Sequence, residues 1–253
     1  MSSSFLTPRW DAPHNVAALT TVRHGGFSTG PYGDGLGSGG LNLAMHVGDD
    51  EASVMRNRAL LRQHLPAEPV WLNQVHGNVV VDAAEAQSGV SADAIIASKP
   101  GLVCAIQTAD CLPVLFADEA SHVVGAAHGG WRGLASGVLE NTVARMRETG
   151  AQNIVAWLGP AIGVQKFEVG EDVRQAFLPR HARAIDAFRA LEAQSGKYLA
   201  DIYMLARLLL QEVGVVDAAG GHACTVSDPT YYSYRRDRVT GRMASLVWIK
   251  DRD

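Results

Sequence analysis

Apolar and polar positions along this chain change in short stretches, which predicts a mixture of strands and helices. Apolar residues at helical spacing predict helices over 53–65, 133–149, 171–177 and 201–213. Short apolar runs between glycine, proline or polar residues predict strands over 19–23, 70–74, 79–81, 94–96, 103–107, 112–117, 122–127, 154–158, 223–226 and 244–249. Hairpin-like pairs mixed with helices in no regular order favour a mixed-sheet α/β/α sandwich. We expect one domain over 1–253.

One predicted hairpin brings a thiol and an imidazole together. The runs 112–117 and 122–127 are separated by a short polar break, as in an antiparallel hairpin. If Ala117 pairs with His122, then Cys111 faces His128, and opposed Cβ atoms lie about 4.5–5.5 Å apart. A second imidazole, His76, must come from another segment. Two imidazoles and one thiol can hold zinc with one position left open.

Each of these residues also has a structural interpretation. A lone histidine such as His76 is usually a satisfied surface or core group, and Cys111 alone is more often a small buried apolar residue. Trp131 fits a core position equally well. Arg58 fits the exposed face of the first helix, and His46 could serve a structural hydrogen bond. His76, Cys111 and His128 indicate a metal site only when the three are considered together.

Composition narrows the classes of function. The net charge is −4 with a pI of about 6.1. The sequence has no stripe of basic residues, so nucleic-acid binding is not expected. No apolar run approaches the roughly 18 residues of a membrane helix. Three cysteines form no disulfide framework, so we expect a cytoplasmic protein with a free Cys111.

Several segments together resemble the YfiH-type family of polyphenol-oxidase or laccase-domain proteins, which are regarded as purine nucleoside phosphorylases. The resemblance covers nearly the whole chain. The matching segments are 41–43, 46–49, 57–58, 74–77, 108–111, 128–133, 159–162, 168–170 and 232–235.

The resemblance implies zinc, or alternatively Cu²⁺, held by His76, Cys111 and His128. It implies phosphorolysis of adenosine, inosine and guanosine, with deamination of adenosine and cleavage of 5′-methylthioadenosine as side activities. Purine nucleosides and phosphate would be the partners, and nucleic acid and membranes would not.

Further residues receive roles within this hypothesis. Asp110 would move a proton or orient a metal ligand, and Arg58, with Arg132 as second choice, would place phosphate. The predicted catalytic residues are then Asp110, Arg58 and His46, and the predicted substrate-binding residues are Asn42 and Arg132.

Three other functions stay open at this level. Cys111 and His128 could form a metal-free cysteine hydrolase, for example one that edits a peptidoglycan precursor. A copper-dependent polyphenol oxidase fits less well, because nine histidines include no His-X-His pair. A structural zinc in a partner-binding protein would normally need four protein ligands. The sequence carries no signal for an oligomeric state.

Overall fold

The larger sheet forms one central layer of the computed structural model, which describes residues 4–120, 122–192 and 194–251. In this part of the chain the sheet has six strands, antiparallel except for the outermost pair at each edge. In spatial order they are Ala218–Gly220 (β13), Ile154–Leu158 (β9), Leu112–Asp118 (β7), Val124–Gly129 (β8), Ala94–Ala97 (β5) and Val80–Asp82 (β4).

A second, antiparallel sheet packs on one face of the first. Its four strands among the described residues are, in order, Phe5–Leu6 (β1), Val16–Thr21 (β2), Met243–Ile249 (β14) and Val103–Thr108 (β6). A small sheet lies apart and consists of Glu168–Gly170 (β10), Lys197–Ala200 (β12) and Phe188–Ala190 (β11). His24–Ser28 (β3) forms isolated bridges to Gly40.

The helices are short, and in the described ranges none has the length and apolar character needed to cross a membrane. They are Glu51–Arg62 (α1), Trp131–Ser136 (α2), Val138–Glu148 (α3), Glu171–Phe177 (α4), Ile202–Glu212 (α5) and Tyr234–Asp237 (α6). Single 3-10 turns occur at Gly30–Tyr32 and Ala184–Ala187.

Alternation along the strands divides the core into layers. Leu115 and Phe116 are both fully buried but point to opposite faces of the larger sheet. Leu115 packs between the two sheets with Ile106, whereas Phe116 packs under α3 and α5. On the far side, α1 contributes Leu61 to a cluster with Leu246 of β14. The mixed α/β prediction is confirmed, and the centre of the sandwich is two sheets thick.

The predicted elements differ from the structure at three places. The helix expected over 133–149 is divided into α2 and α3, because Gly137 adopts a left-handed φ of 94°. Residues 223–226, expected to be a strand, form a turn region, and β13 takes that edge of the sheet. The expected strand 70–74 makes only isolated bridges at Val70 and Asn73.

The β7–β8 hairpin forms as predicted, but its register is shifted by two residues. Ala117 pairs with Val124, and His128 faces Pro113 instead of Cys111. The backbone amide of Asp118 donates to Val123 O at 3.0 Å, so the turn is centred one residue later in the chain than predicted. Because side chains alternate with a period of two, the shift leaves His128 on the predicted face of the sheet.

Candidate active site

Three side chains from separate segments meet at one end of the larger sheet. His128 lies in β8, Cys111 directly precedes β7, and His76 lies in the loop before β4. One ligand atom from each lies within 4.8 Å of the others. Cys111 Sγ is 3.8 Å from His76 Nε2, and the two imidazole rings are 4.7 Å apart at an angle of 74°. The structure therefore brings the predicted ligand set together.

A buried carboxylate, Asp93, holds two of these segments in place. Its Oδ1 lies 2.8 Å from His128 Nδ1, which leaves Nε2 of that ring directed elsewhere. Asp93 also accepts hydrogen bonds from the backbone amides of Val75, His76 and Gly77. His76 has a positive φ of 61°, which is uncommon for a residue with a side chain. Asp93 thus fixes both the ring orientation of His128 and the turn that carries His76.

Gly130 keeps the space between the three ligands open. A Cβ at this position would lie 2.8 Å from His76 Cδ2, 3.4 Å from Cys111 Sγ and 3.5 Å from His128 Cε1. The first distance is too short for any real Cβ contact. Only glycine therefore preserves a gap that all three donors face. Nitrogen and sulfur donors around such a gap fit a zinc ion with three protein ligands.

Charges within the set favour a thiolate. Burial alone would raise the pKa of Cys111, but the neighbouring His128 and His76 lower it. Burial alone would lower the pKa of His128, but the Cys111 thiolate and Asp93 raise it. Burial likewise opposes ionisation of Asp93, yet the hydrogen bonds from His128 and the amides of Gly77 and Val75 lower its pKa. Both directions favour a thiolate on Cys111 and an imidazolium on His128.

The ligand set lies where two arms of one cleft meet. The first arm, of about 350 Å³, is lined by residues that include His46, Gln107, Thr108 and Arg242. The second arm, of about 260 Å³, is lined by residues that include Trp131, Arg132, Phe167 and Asp110. His76, Ala109, Cys111 and Tyr234 line both arms. We call these the Arg242 arm and the aromatic arm.

Residues 17–250 match the family model described as multi-copper polyphenol oxidoreductase laccase. The chain belongs to this family. It is 49% identical over 250 residues to a protein of Pseudomonas aeruginosa named purine nucleoside phosphorylase, with 98% of this chain and 100% of the relative covered. It is also 49% identical to the purine nucleoside phosphorylase YfiH of Escherichia coli, with 98% and 99% covered.

Solved structures of similar proteins have the same fold. The crystal structure of protein NMB0706 of Neisseria meningitidis has a TM-score of 0.90 at 49% identity, covering 98% of this chain and 100% of that one. The structure of YlmD from Geobacillus stearothermophilus has a TM-score of 0.86 at 30% identity, with 99% and 98% covered. The laccase-family fold therefore extends over nearly the whole chain.

Asp110, predicted as a proton carrier, is held in place by three donors. Oδ1 accepts from the hydroxyls of Thr225 at 2.6 Å and Ser233 at 2.7 Å, and Oδ2 accepts from the amide of Arg235 at 2.5 Å. These bonds tie the Tyr234 wall of the cleft to the loop that carries Cys111. The contacts are those of a residue that orients its neighbours, and the proton transfer predicted for Asp110 stays a prediction.

Asn42 and Arg58 lie behind the cleft wall, which departs from the expected contacts with substrate. Asn42 is fully buried, and its side chain bonds Ala44 and the backbone amide of Arg242. Arg58 donates to Leu43 O at 3.0 Å and stacks over the Trp71 ring at 4.3 Å. Neither is among the described residues that line the two arms.

His46 and Arg132, by contrast, line the cleft as expected. His46 lines the Arg242 arm, and its pKa is lowered by partial burial and then by the charges of Arg242 and Arg58. Arg132 is exposed and lies over the Trp131 ring at 4.5 Å in the aromatic arm. Both side chains can reach a bound ligand.

Sequence reasoning missed Asp93 and Arg242, and it included Tyr234 only as part of the matching segment 232–235. Asp93 precedes a fully buried strand, and a lone acid there is a weak signal that could have suggested a partner. Arg242 approaches the site only because Met243 at the start of β14 pairs with Thr108 at the end of β6. That pairing joins segments that are distant in sequence, so no local pattern predicts it.

Proposed function

We propose that this chain is a zinc-dependent purine nucleoside phosphorylase acting on adenosine, inosine and guanosine. The observation that carries the proposal is the position of His76, Cys111 and His128 where two arms of one cleft meet. Two arms can hold a nucleoside and phosphate side by side, and such positioning accelerates a two-substrate reaction. Relatives named purine nucleoside phosphorylase at 49% identity support it.

The proposed reaction exchanges one bond at the sugar. A phosphate oxygen forms a bond to ribose C1′ while the bond from C1′ to the purine nitrogen breaks. The electron pair of the broken bond leaves with the purine, which takes up the proton that phosphate carried. The products are the free base and ribose 1-phosphate.

Residues of the cleft would bind and orient the nucleoside. Trp131, Phe167 and Tyr234 give the aromatic arm the flat apolar surface that suits a purine ring. Arg132 in the same arm would donate to the base or sugar. Asp110 would keep the Tyr234 wall in place, and His46 in the Arg242 arm would contact phosphate or sugar.

The metal would be held by His76, Cys111 and His128. Zinc with three protein ligands supplies a Lewis acid with an open coordination position. The gap preserved by Gly130 and the orientation of His128 by Asp93 support a metal at this place. Copper binds such donors more tightly than zinc does, so the loaded metal has to be measured.

Deamination of adenosine and phosphorolysis of 5′-methylthioadenosine are proposed as side activities. In deamination, water replaces the amino group of the purine and ammonia is released. This requires the base, and not the ribose, to reach the centre of the cleft. Deamination should therefore proceed without phosphate, whereas base release should require it.

The experiment is turnover of adenosine and inosine, with and without phosphate, by protein whose zinc has been quantified. We expect free base only with phosphate, from protein carrying about one zinc per chain. H76A, C111A and H128A should each lose turnover while unfolding cooperatively, and the matched surface variant R183Q should keep it. Base release without phosphate, or full turnover by all three alanine variants, would contradict the proposal.

A cysteine hydrolase, including one acting on peptidoglycan-type amides, is a second candidate favoured by one observation. His128 lies between Asp93 and Cys111, which resembles a nucleophile, its base and an orienting carboxylate. Metal removal separates the two functions. A chelator should abolish nucleoside turnover, whereas amide hydrolysis by Cys111 would persist or increase.

Multicopper oxidation fits this site poorly, although the family model is described as a laccase. Such centres need several ions, and the described residues form one three-ligand group of His, Cys, Asp or Glu. Oxidation of a phenol by the copper-loaded protein, at the rate of the phosphorolysis, would reverse this judgement.

A further inference from the structure

Arg242 is a partly buried cation whose charge is stabilised by the nearby Cys111 and Asp110, although it forms a hydrogen bond to neither in the described part of the chain. Its Nη1 donates to the carbonyls of Thr240 and Gly241 at 3.0 Å, and its guanidinium lies 6.0 Å from the centre of the Tyr234 ring. Among the described residues it forms no ion pair with a carboxylate. A desolvated charge normally requires a partner of opposite sign.

Among the described residues, the negative side chain that lines the Arg242 arm is the Cys111 thiolate, a proposed metal ligand. No aspartate or glutamate of the described ranges lines it, and its polar residues, apart from the metal ligands, include His46, Gln74, Gln107 and Thr108. Burial lowers the pKa of Arg242, but an arginine stays protonated at neutral pH. The same positive charge contributes to the lowered pKa of His46. The arm is thus prepared for an anion.

The backbone holds Arg242 rigidly at this place. Its amide donates to Asn42 Oδ1 at 2.9 Å, and Asn42 is fully buried. A Cβ at the preceding Gly241 would lie 2.8 Å from Asn42 Cβ and from Tyr232 Cζ, so the chain packs closely there. Directly after it, Met243 pairs with Thr108. A fixed guanidinium loses little freedom when it binds an anion.

Two other arginines near the site, Arg132 and Arg58, are less suited to phosphate. Arg132 lies over its own Trp131 ring in the aromatic arm, which also contains the Asp110 carboxylate. Arg58 is bound to Leu43 O and to the Trp71 ring behind the wall. Asp110 lines the aromatic arm and not the Arg242 arm, so a doubly charged phosphate meets less repulsion from this carboxylate in the Arg242 arm.

We infer that the Arg242 arm is the phosphate site, with Arg242 as the main phosphate-binding residue and His46 lining the same arm. This inference rests on the proposed phosphorolysis. The planar guanidinium can donate two parallel hydrogen bonds to phosphate oxygens. Phosphate in this arm leaves the aromatic arm for the purine and places the ribose between them, beside the metal ligands.

The test is a comparison of the KM for phosphate and the KM for inosine in zinc-quantified protein. R242Q should raise the KM for phosphate roughly 10- to 100-fold and change the KM for inosine less than about threefold. R242K should fall between R242Q and the wild type, because it keeps the charge but not the paired donors. R132Q should mainly raise the KM for inosine, and the surface variant R183Q should change neither.

A binding measurement separates this inference from the proposed function. Phosphate should raise the Tm of wild-type protein and of R242K, and should not raise that of R242Q. If the wild type cleaves inosine with phosphate but R242Q keeps the wild-type KM for phosphate, the site assignment is wrong and the function stands. If phosphate stabilises wild type and R242Q equally, the assignment is also wrong. If no nucleoside is cleaved but only R242Q loses the stabilisation, the anion site stands and the proposed function fails.

Discussion

Asp93 is a residue through which two otherwise separate ligand segments act as one. Its carboxylate binds His128 Nδ1 and three amides of the loop that carries His76, and it is fully buried. Carboxylates that orient metal-bound histidines contribute strongly to metal affinity. The metal affinity of the site should therefore depend on Asp93, which is not one of the three metal ligands.

Substituting Asp93 by asparagine should weaken zinc binding. D93N keeps a similar shape but removes the charge that fixes His128, so we expect a roughly 10- to 100-fold loss of zinc affinity. Competition with a chromophoric chelator measures this. The control D186N, at an exposed ion pair with Arg183, should bind zinc as the wild type does. Equal zinc affinity in D93N and wild type would show that Asp93 has no such role.

Cys111 should be unusually reactive in metal-free protein. Its pKa is lowered to about 6, so most of it is thiolate at pH 7, and iodoacetamide should modify it faster than an ordinary thiol. The rate should fall as the pH is lowered through 6, because the thiolate becomes protonated. Site-resolved mass spectrometry measures the rate at each cysteine.

Two other cysteines serve as controls in the same experiment. Cys104 is fully buried with a raised pKa and should not react, and partly exposed Cys224 should react equally with and without zinc. Zinc should protect Cys111 selectively. Identical modification of Cys111 in both forms would argue against its being a ligand.

Elements were predictable from sequence where their pattern is local. The strand 154–158 and the helix 171–177 match β9 and α4 in full, because their apolar spacing and bounding residues lie within a few positions. The predicted hairpin register was wrong by two because the turn is centred one residue later, where Asp118 bonds Val123 and His122 across it. The Arg242 arm depends on β14 pairing with β6, a contact that no local pattern encodes.

The glycine-rich segment after β3 has an internal organising residue. Asp34 is buried, and its Oδ1 accepts from the amides of Leu36 at 2.8 Å, Gly37 at 2.9 Å and Ser38 at 3.2 Å. Burial opposes ionisation, yet these amides lower the pKa of Asp34. The ionised side chain therefore closes the loop.

The stability that Asp34 contributes should depend on pH. Its pKa is lowered on folding, so the contribution is present above the unfolded pKa of about 3.9 and is lost as the pH falls through the lower folded value. The Tm difference between wild type and D34N should thus be largest near neutral pH and narrow below about pH 3.9. D11N, at an exposed position, should show no such trend. A constant difference at every pH would contradict this origin.

The molecule as a whole depends on the contact between its four-stranded and six-stranded sheets. Cys111 lies in the short connection from β6 of the four-stranded sheet to β7 of the six-stranded sheet, so the site is built across that contact. Ile106, Leu115 and Val247 fill the space between the sheets and are fully buried. Packing in this layer should govern stability more than the chemistry of the cleft.

Removing side-chain volume from this layer should lower stability without removing the metal ligands. L115A should reduce the free energy of unfolding by about 2–5 kcal/mol, since it leaves a cavity between the sheets. V216A, at a site that is 78% exposed, should change it by less than about 0.5 kcal/mol. Urea unfolding measures both. L115A should keep the zinc content of the wild type at 25 °C. If its zinc content falls as in D93N, packing between the sheets and metal binding are coupled.

The position of β14 between β2 and β6 has a consequence for how the chain matures during translation. The segments that carry His76, Cys111 and His128 leave the ribosome well before 242–249. Until β14 has emerged, β6 lacks its neighbour in the four-stranded sheet, and Arg242 has not yet been synthesised. A nascent chain would therefore acquire its metal ligands first and its anion-binding arm last.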